Sequence, residues 1–557
     1  MTNTIDISID QTTKKNLDQW LNGDYDPETK NQIEILIKSN PKEIVDSFYK
    51  TLTFGTGGLR GIMGVGSNRM NVYTVRAATQ GLANYINKTC KKDKTPSVII
   101  GYDSRINSKL FAEETAKVLA GNGIQVYLLK EMRPVPLVSF GCRLKQCAAA
   151  VVITASHNPP EYNGYKVYWD DGAQVLPPHD KGIIQEVNAI VDNSKIKITS
   201  LNNPLILHVG EEIDRAYLET LQSLQLYPED NSTKGSSLKI VYTNLHGTGI
   251  TLVPQTLKRW GFTQLHFVEN QKITDGNFPS VKVPNPEDPA ALKMGIEVLF
   301  ETKSDILLAT DPDCDRVGVV VNHKGNPITL TGNQIGCLSL EHICDALSKK
   351  KLMPKKPAVI KSIVTSELFR VIANAYNVIC IDVLTGFKYI AEKIREWECE
   401  SNGYQFIFAA EESFGYLLGT HSRDKDGVIS CALICEMALQ AKLEGKTLID
   451  KLHDLYRKYG VYRERLLNLN FEESKAGQEQ IKYAMETLRN NPPQKILGTQ
   501  VIAIADYLNL TLTYLSSGNK EDLIIAKSDV LKFILEDKTS IFVRPSGTEP
   551  KVKLYSR

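Results

Sequence analysis

Thr154-Ala155-Ser156-His157-Asn158-Pro159-Pro160, with Asn163-Gly164-Tyr165-Lys166 just behind it, is the stretch whose reading decides the fold. The apolar run Ala148 to Ile153 in front of it reads as a buried strand. Two prolines then fix φ and remove donors, so neither strand nor helix continues. Ser156 and His157 therefore sit on a tight loop at a strand's end, where open α/β sheets bind ligands. A serine there can carry a phosphoryl group. Phosphoserine is close to a dianion and needs a cation. The loop Asp311-Pro312-Asp313-Cys314-Asp315-Arg316 has the residues to hold one. The expectation is that these two loops face each other.

Working outward, Ser97 to Tyr102 reads as a strand, Asp103-Ser104-Arg105 as a turn, Phe111 to Ala120 as a helix and Val126 to Leu129 as the next strand. Strand–helix–strand alternation implies parallel pairing. The grammar recurs three more times. Lys239 to Thr243 ends in Asn244-Leu245-His246-Gly247-Thr248-Gly249, Asp305 to Thr310 ends in the aspartate loop, and Ala358 to Val364 ends in Thr365-Ser366. Gln405 to Ala409 then runs into Glu411-Glu412-Ser413-Phe414-Gly415-Tyr416. Roughly three α/β units result, with chemistry-bearing loops at strand ends. From about Leu448 the pattern changes to a helix, Leu452 to Tyr459, and then to alternating strands, which reads as a separate α+β unit.

The expected division is 1–204 (a helical extension and a first α/β unit with the serine loop), 205–324 (a second, with the aspartate loop), 325–445 (a third, with the Glu411 loop) and 446–557 (the α+β unit). Before the first unit, Asp26-Pro27-Glu28 is a good helix start, with Ile33, Leu36 and Ile37 forming one apolar face.

A chain of 557 residues is too long for one core, and 42% hydrophobic with 23% charged residues is ordinary for a globular protein. A formal charge of +2 lends no support to nucleic acid or an anionic membrane as partner. The start, Met1 to Asp6, lacks a basic and an apolar leader segment, and no apolar run approaches the roughly 20 residues of a membrane helix. Ten cysteines lie scattered with no Cys-x-x-Cys pair, and Cys431 and Cys435 read as helix core. A reduced, cytoplasmic enzyme is expected. No protein partner is readable.

Asp311, Asp313 and Asp315 alternate, so in an extended loop all three point one way. Such carboxylates repel unless a cation sits among them, and hard oxygen donors suit Mg²⁺. An EF-hand is excluded, because Arg316 and Asn322 stand where its glycine and glutamate would be. Ser156 needs help to act as a nucleophile, and adjacency argues against a Ser156–His157 relay. Lys166 is placed to act as acid/base or to neutralise phosphate. Gly55 to Gly61, with Arg60, offers free N–H groups and a guanidinium fork to an anion. Arg544, Ser546, Gly547, Thr548 and Lys551 compose a phosphate clamp near the far terminus. Glu411, Glu412 and Ser413 offer the acceptors and donor that sugar hydroxyls require, with Lys425 soon after.

Together and in this order, from Gly55 to Lys551, these loops resemble the α-D-phosphohexomutase superfamily. The Gly55–Gly61 and Ser156–Lys166 loops are similar to its phosphoglucomutase branch, which includes phosphopentomutase-like members. The resemblance implies three related mixed-sheet α/β domains and a TATA-binding-protein-like fourth around a central cleft. It implies phosphorylation of Ser156, with Mg²⁺ held by Asp311, Asp313, Asp315 and a phosphate oxygen on that serine. Glu411 and Ser413 would hold sugar hydroxyls, and Arg544, Ser546, Gly547 and Thr548 the phosphate that is not transferred. Arg60, His157, Lys166, Arg316 and Lys425 would line the transfer site.

The implied reaction interconverts glucose 1-phosphate and glucose 6-phosphate through phosphoserine and a bisphosphate, glucose 1,6-bisphosphate serving as activator. Mannose and pentose phosphates stay open as substrates of the same mechanism. Rival readings are a phosphatase with Asp311 as nucleophile and a non-catalytic sugar-phosphate binder. Two residues depart from the family pattern: Cys314 stands where Gly or Ala is usual, and Ala410 where Gly is common.

Overall fold

The structure, a computed structural model, describes residues 9–557 apart from 56, 91–94, 191, 473–474 and 547–549. Its strands form four sheets of six, five, four and eight members.

The first sheet comprises β1 (Gly58–Ile62), β2 (Ser97–Tyr102), β3 (Gln125–Leu129), β4 (Ala149–Ile153), β5 (Tyr162–Trp169) and β6 (Ile206–Val209), in the order β1-β5-β4-β2-β3-β6. The second comprises β7 (Lys239–Thr243), β8 (Gln264–Phe267), β9 (Ile306–Thr310), β10 (Val317–His323) and β11 (Asn326–Leu330), ordered β11-β10-β9-β7-β8. The third comprises β12 (Pro357–Ser362), β13 (Ile379–Val383), β14 (Gln405–Glu411) and β15 (Gly415–Leu418), ordered β13-β12-β14-β15.

One plan runs through all three. A strand that pairs in parallel with its neighbours turns back into an antiparallel partner: β4 into β5, β9 into β10, β14 into β15. The serine loop, the aspartate loop and the Glu411 loop are those three turns. Burial explains the strand composition. Ala149, Val151 and Ile153 of β4 enter one core and Ala150 and Val152 the other, so both faces are covered and the run is apolar throughout.

The first sheet reaches past the expected border at 204, because β6 pairs with β3, and the second passes 324, because β11 returns on β10. The helix Leu448–Tyr459 also differs from expectation. Its buried Leu448, Ile449, Leu452 and Leu455 join the core of the first three units rather than the fourth. Within the helical extension, Asp26 caps the helix Pro27–Ser39 and Ile33 is buried. Ile37, expected on the same face, is exposed, because the contact stripe is narrower than the periodicity allows.

The fourth sheet comprises β16 (Arg465–Asn470), β17 (Lys495–Ile496), β18 (Thr499–Asp506), β19 (Thr511–Tyr514), β20 (Lys520–Asp522), β21 (Leu531–Leu535), β22 (Ser540–Pro545) and β23 (Lys551–Ser556), and every pairing in it is antiparallel. Val501, Phe533 and Val543 build its own core with Met485. A second small core, Val530, Phe542 and Tyr555 against Ile363, Val364 and Leu384, seats it on the third unit. Among the described residues no helix is long and apolar enough to cross a membrane.

Candidate active site

The β4–β5 turn puts Ser156 in the left-handed region at φ +52° and 3% exposed. Thr154 Oγ1 accepts from the Ser156 N–H at 2.8 Å. The Arg105 guanidinium donates to the carbonyls of Ser156 (2.6 Å), Pro159 (2.8 Å), Tyr162 (3.0 Å) and Asn158, so the turn is held from behind. Asn158 in turn accepts from Arg60 at 3.0 Å, which joins the glycine loop to the serine loop.

The β9–β10 turn faces it. Ser156 Oγ donates to Asp311 Oδ2 at 2.9 Å. Asp311, Asp313 and Asp315 are all buried, and each offers one carboxylate oxygen to a group in which all three lie within 4.8 Å of one another. The route to this convergence differs from expectation. The loop is not extended; Cys314 takes φ +53° and the chain turns tightly. Asp311 Oδ1 accepts from the Asp315 and Arg316 N–H groups at 3.2 and 3.1 Å across that turn. The Cys314 sulfur lies near Gly249, where a Cβ would come within 3.1 Å of it.

Three units clamp the turn. Pro312 O accepts from the Thr248 N–H at 2.8 Å, Asp313 O from the Val135 N–H at 2.9 Å, and Cys314 O from the Gly427 N–H at 3.1 Å.

Cations surround the acids. Lys166 Nζ lies 2.9 Å from Asp313 and 3.7 Å from Asp315, and Lys425 Nζ lies 3.1 Å from both Asp315 and Asp424. Arg316 pairs with Glu287 at 2.7 Å and approaches Asp315 and Asp311 at 3.8 and 4.0 Å. Burial pushes the Asp311 carboxyl well above its ordinary range, and Asp313 and Asp315 push it the same way. Asp313 goes the other way: burial would raise it, but Lys166 holds it below. Burial also opposes the Lys166 and Lys425 charges, yet the neighbouring carboxylates raise both.

A like-charge pair about 4 Å apart costs on the order of 4 kcal/mol at an effective dielectric near 20. Lys166, Lys425 and Arg316 offset part of the repulsion among Asp311, Asp313, Asp315, Asp424 and Glu287. Asp313 Oδ1 and Asp315 Oδ1 are buried without a hydrogen-bond partner. Converging hard oxygen donors and two orphaned buried oxygens fit a divalent cation such as Mg²⁺.

His157 Nδ1 lies 3.3 Å from Ser156 Oγ, so the adjacency that argued against a relay does not keep the two atoms apart. Burial drives His157 well below its ordinary pKa, helped by Arg316, Arg60, Lys553 and Lys551. Both lysines lie on β23, just past the fourth unit's loop. Glu411 is buried at the end of β14, accepts from the Gly386 N–H at 2.7 Å, and has its carboxyl raised by burial. Ser413 is half-buried in the β14–β15 turn.

Arg544 and Ser546 lie at the end of β22, where the Ser546 N–H donates to Lys551 O at 2.8 Å. Gly547 and Thr548, expected in the phosphate clamp, lie outside the described residues. Glu287, Tyr168, Asp424 and Lys553 had no assigned role from sequence. Tyr168 was findable: it is two residues beyond Lys166 on β5, hence on the same face, and it donates to Asp424 at 2.9 Å. Glu287 and Lys553 carry no local signal.

Comparison with known proteins agrees with this arrangement. Models of the phosphoglucomutase/phosphomannomutase family match in series: alpha/beta/alpha domain I at residues 51–194, domain II at 215–325, domain III at 331–459 and the C-terminal domain at 466–556. A phosphoglucomutase of Staphylococcus haemolyticus is 37% identical over 513 residues, covering 91% of this chain and 90% of that protein. One from Staphylococcus aureus is 38% identical over 513 residues, covering 92% and 90%.

Among solved structures, a Burkholderia thailandensis phosphoglucomutase/phosphomannomutase family protein aligns with a TM-score of 0.64 at 18% identity, covering 91% of this chain and 93% of that one. The Paramecium phosphoglucomutase parafusin, in an open form, aligns at 0.64 and 16%, covering 91% and 90%. At these identities the two structures speak for the fold alone. The arrangement of the loops and the relatives that share nearly the whole chain lead to one conclusion: this chain belongs to the phosphoglucomutase/phosphomannomutase family.

Proposed function

We propose that the chain is a phosphosugar mutase that interconverts glucose 1-phosphate and glucose 6-phosphate, with Ser156 as the phosphoryl carrier. The observation that carries this reading is the 2.9 Å contact between Ser156 Oγ and Asp311, inside a buried cluster of three carboxylates. Four units are proposed, with borders near 204, 324 and 445 subject to the strand pairings described above, in a cytoplasmic enzyme.

In this reading phosphorylated Ser156 gives its phosphoryl group to the free hydroxyl of a sugar monophosphate. The sugar bisphosphate turns over in the cleft and returns its other phosphoryl group to Ser156. Positioning and charge neutralisation supply most of the rate. Asp311, Asp313 and Asp315 would hold Mg²⁺, which when bound neutralises charge on the transferring group. Lys166 and Lys425, both kept protonated by neighbouring carboxylates, add fixed positive charge, as do Arg60 and Arg316. Glu411 and Ser413 serve the sugar hydroxyls. Arg544 and Ser546, with Gly547 and Thr548, serve the phosphate that stays.

Asp311 is poorly placed as a phosphatase nucleophile. One of its oxygens takes two backbone N–H groups and the other takes Ser156.

The test is Ser156→Ala. Turnover of glucose 1-phosphate, with Mg²⁺ and glucose 1,6-bisphosphate present, is expected to fall at least on the order of 10³-fold while sugar-phosphate binding persists. Peptide mapping of the wild-type protein should find phosphate on Ser156. Near-normal turnover in the variant removes the assignment. Mannose 1-phosphate and ribose 1-phosphate in the same assay rank the sugars.

A further inference from the structure

Two buried atoms of opposite charge meet beside the aspartate turn without pairing. Arg316 Nε and Asp315 Oδ1 lie 3.8 Å apart, and neither has a hydrogen-bond partner among the described residues. Asp311 Oδ2, which accepts from the Ser156 hydroxyl, is 4.0 Å from the same nitrogen. A charge-assisted N–H···O bond is about 2.7–2.9 Å long, so the guanidinium stops roughly 1 Å short of the carboxylate that attracts it. Lys166 and Lys425 do close on this cluster, at 2.9 Å from Asp313 and 3.1 Å from Asp315. An unmade bond between a buried donor and a buried acceptor costs free energy, so something has to keep Arg316 back.

The restraint is at the other end of the guanidinium. Arg316 Nη1 donates to Glu287 Oε1 at 2.7 Å. Glu287 comes from the loop before the helix Pro289–Glu301, and that loop is fixed by its own backbone. The Glu287 N–H donates to Asn285 Oδ1 at 3.0 Å and the Asp288 N–H to Asn285 O at 3.0 Å, after which Asp288 caps the helix. Pro286 seats directly on β10: a Cβ on Gly318, two residues beyond Arg316, would meet Pro286 O at 2.7 Å. A glycine inside a strand leaves room for such a close backbone approach. The carboxylate and the arginine are thus set against each other by two neighbouring backbones.

We propose that Glu287 is a positioning residue that tethers Arg316 away from the aspartate triplet. The tether leaves Asp315 Oδ1 to a cation and the Arg316 Nε–H to a phosphoryl oxygen on Ser156. Without it the guanidinium closes on Asp315, competes with the cation for that oxygen, and turns its free N–H away from the serine. What the two freed groups then do rests on the mutase reading above; the tether itself rests on the geometry alone.

The experiment is a double-mutant cycle on Mg²⁺ binding to the full chain, read by titration calorimetry without substrate and with the phosphate content of Ser156 matched by intact mass. Glu287→Ala should weaken Mg²⁺ about 10–100-fold, as loss of an outer-shell support does. The same substitution in an Arg316→Met background should weaken it no more than about threefold. Loss of the carboxylate charge acts on a cation alike in both backgrounds, so the difference between them reads the movement of the guanidinium. Glu287→Gln, which keeps the reach and an acceptor oxygen, should bind Mg²⁺ at least about threefold tighter than Glu287→Ala. At saturating Mg²⁺, kcat of Glu287→Ala should fall about tenfold with KM for sugar phosphate within about twofold. Equal Mg²⁺ losses in the two backgrounds overturn the proposal, because the carboxylate then acts on the cation by itself. A wild type that binds no Mg²⁺ removes the metal reading and the proposal together. The expected coupling in a chain that does not isomerise sugar phosphates upholds the tether and removes the mutase reading.

Discussion

At the scale of single residues, the site concentrates cost. Ser156 holds a left-handed backbone, on the order of 1–3 kcal/mol for a non-glycine residue, and aims its hydroxyl at a carboxylate that burial and two like neighbours make hard to ionise. Removing one charge from that group relieves repulsion in the metal-free protein. Asp311→Asn should therefore melt no lower than wild type without metal. With saturating Mg²⁺ the wild type should gain about 2.7 kcal/mol at a hundred times its Kd, and the variant should lose most of that gain. Thermal denaturation with and without Mg²⁺ checks this, and a full Mg²⁺ shift in the variant would place the metal elsewhere.

At the scale of elements, one connection is used three times with turns of different length, each between a strand paired in parallel and its antiparallel return. The aspartate turn is closed by its own Asp311 side chain and held in place by backbone contacts from all three units. Gly247 is the tightest of these, since a Cβ there would lie 2.3 Å from Pro312 Cα and 2.6 Å from Pro312 O. Neither atom can swing aside as a flexible side chain would. Gly247→Ala should displace the turn and weaken Mg²⁺ about 10–100-fold, as loss of an outer-shell support does, while leaving a single cooperative melt. A Mg²⁺ titration of turnover reads the effect; an unchanged midpoint would mean that the turn keeps its shape without that contact.

At the scale of the molecule, the first three units share one continuous core and the fourth is docked through a small one. Arg557 pairs with Glu367 at 3.1 Å and donates to Thr365 O across the same face. Lys532 is half-buried there, and burial, with Arg557 beside it, pulls its pKa from 10.5 down to about 8. The native state thus gives up this proton before the unfolded chain does. Between pH 8 and 10.5 the unfolded state binds more protons, so stability from this group rises with pH; below 8 the full cost of the buried ammonium is felt. Lys532→Met should be more stable than wild type by about 1–2 kcal/mol at neutral pH, and the gap should close as the pH approaches 10.5. Urea unfolding at both ends of that range measures it, and a gap that does not change with pH would assign the effect to packing alone.

The chain's local patterns were enough to read the strand into Ser156, the aspartate triplet, the Asp26 cap and the buried Cys431 and Cys435. Strand burial, proline stops and capping act over a few residues, and their signals lie side by side in the sequence. Borders were less legible. The pairings of β6 with β3 and β11 with β10 are long-range choices, and the helix Leu448–Tyr459 packs on units that end before it. Only the tertiary structure decided that Cys314 turns the aspartate loop tightly, that Glu287 and Lys553 reach the site, and that Arg105 holds the serine turn from behind. The physical reason is that electrostatic and backbone contacts between loops depend on where whole sheets come to rest, and no local propensity encodes that placement.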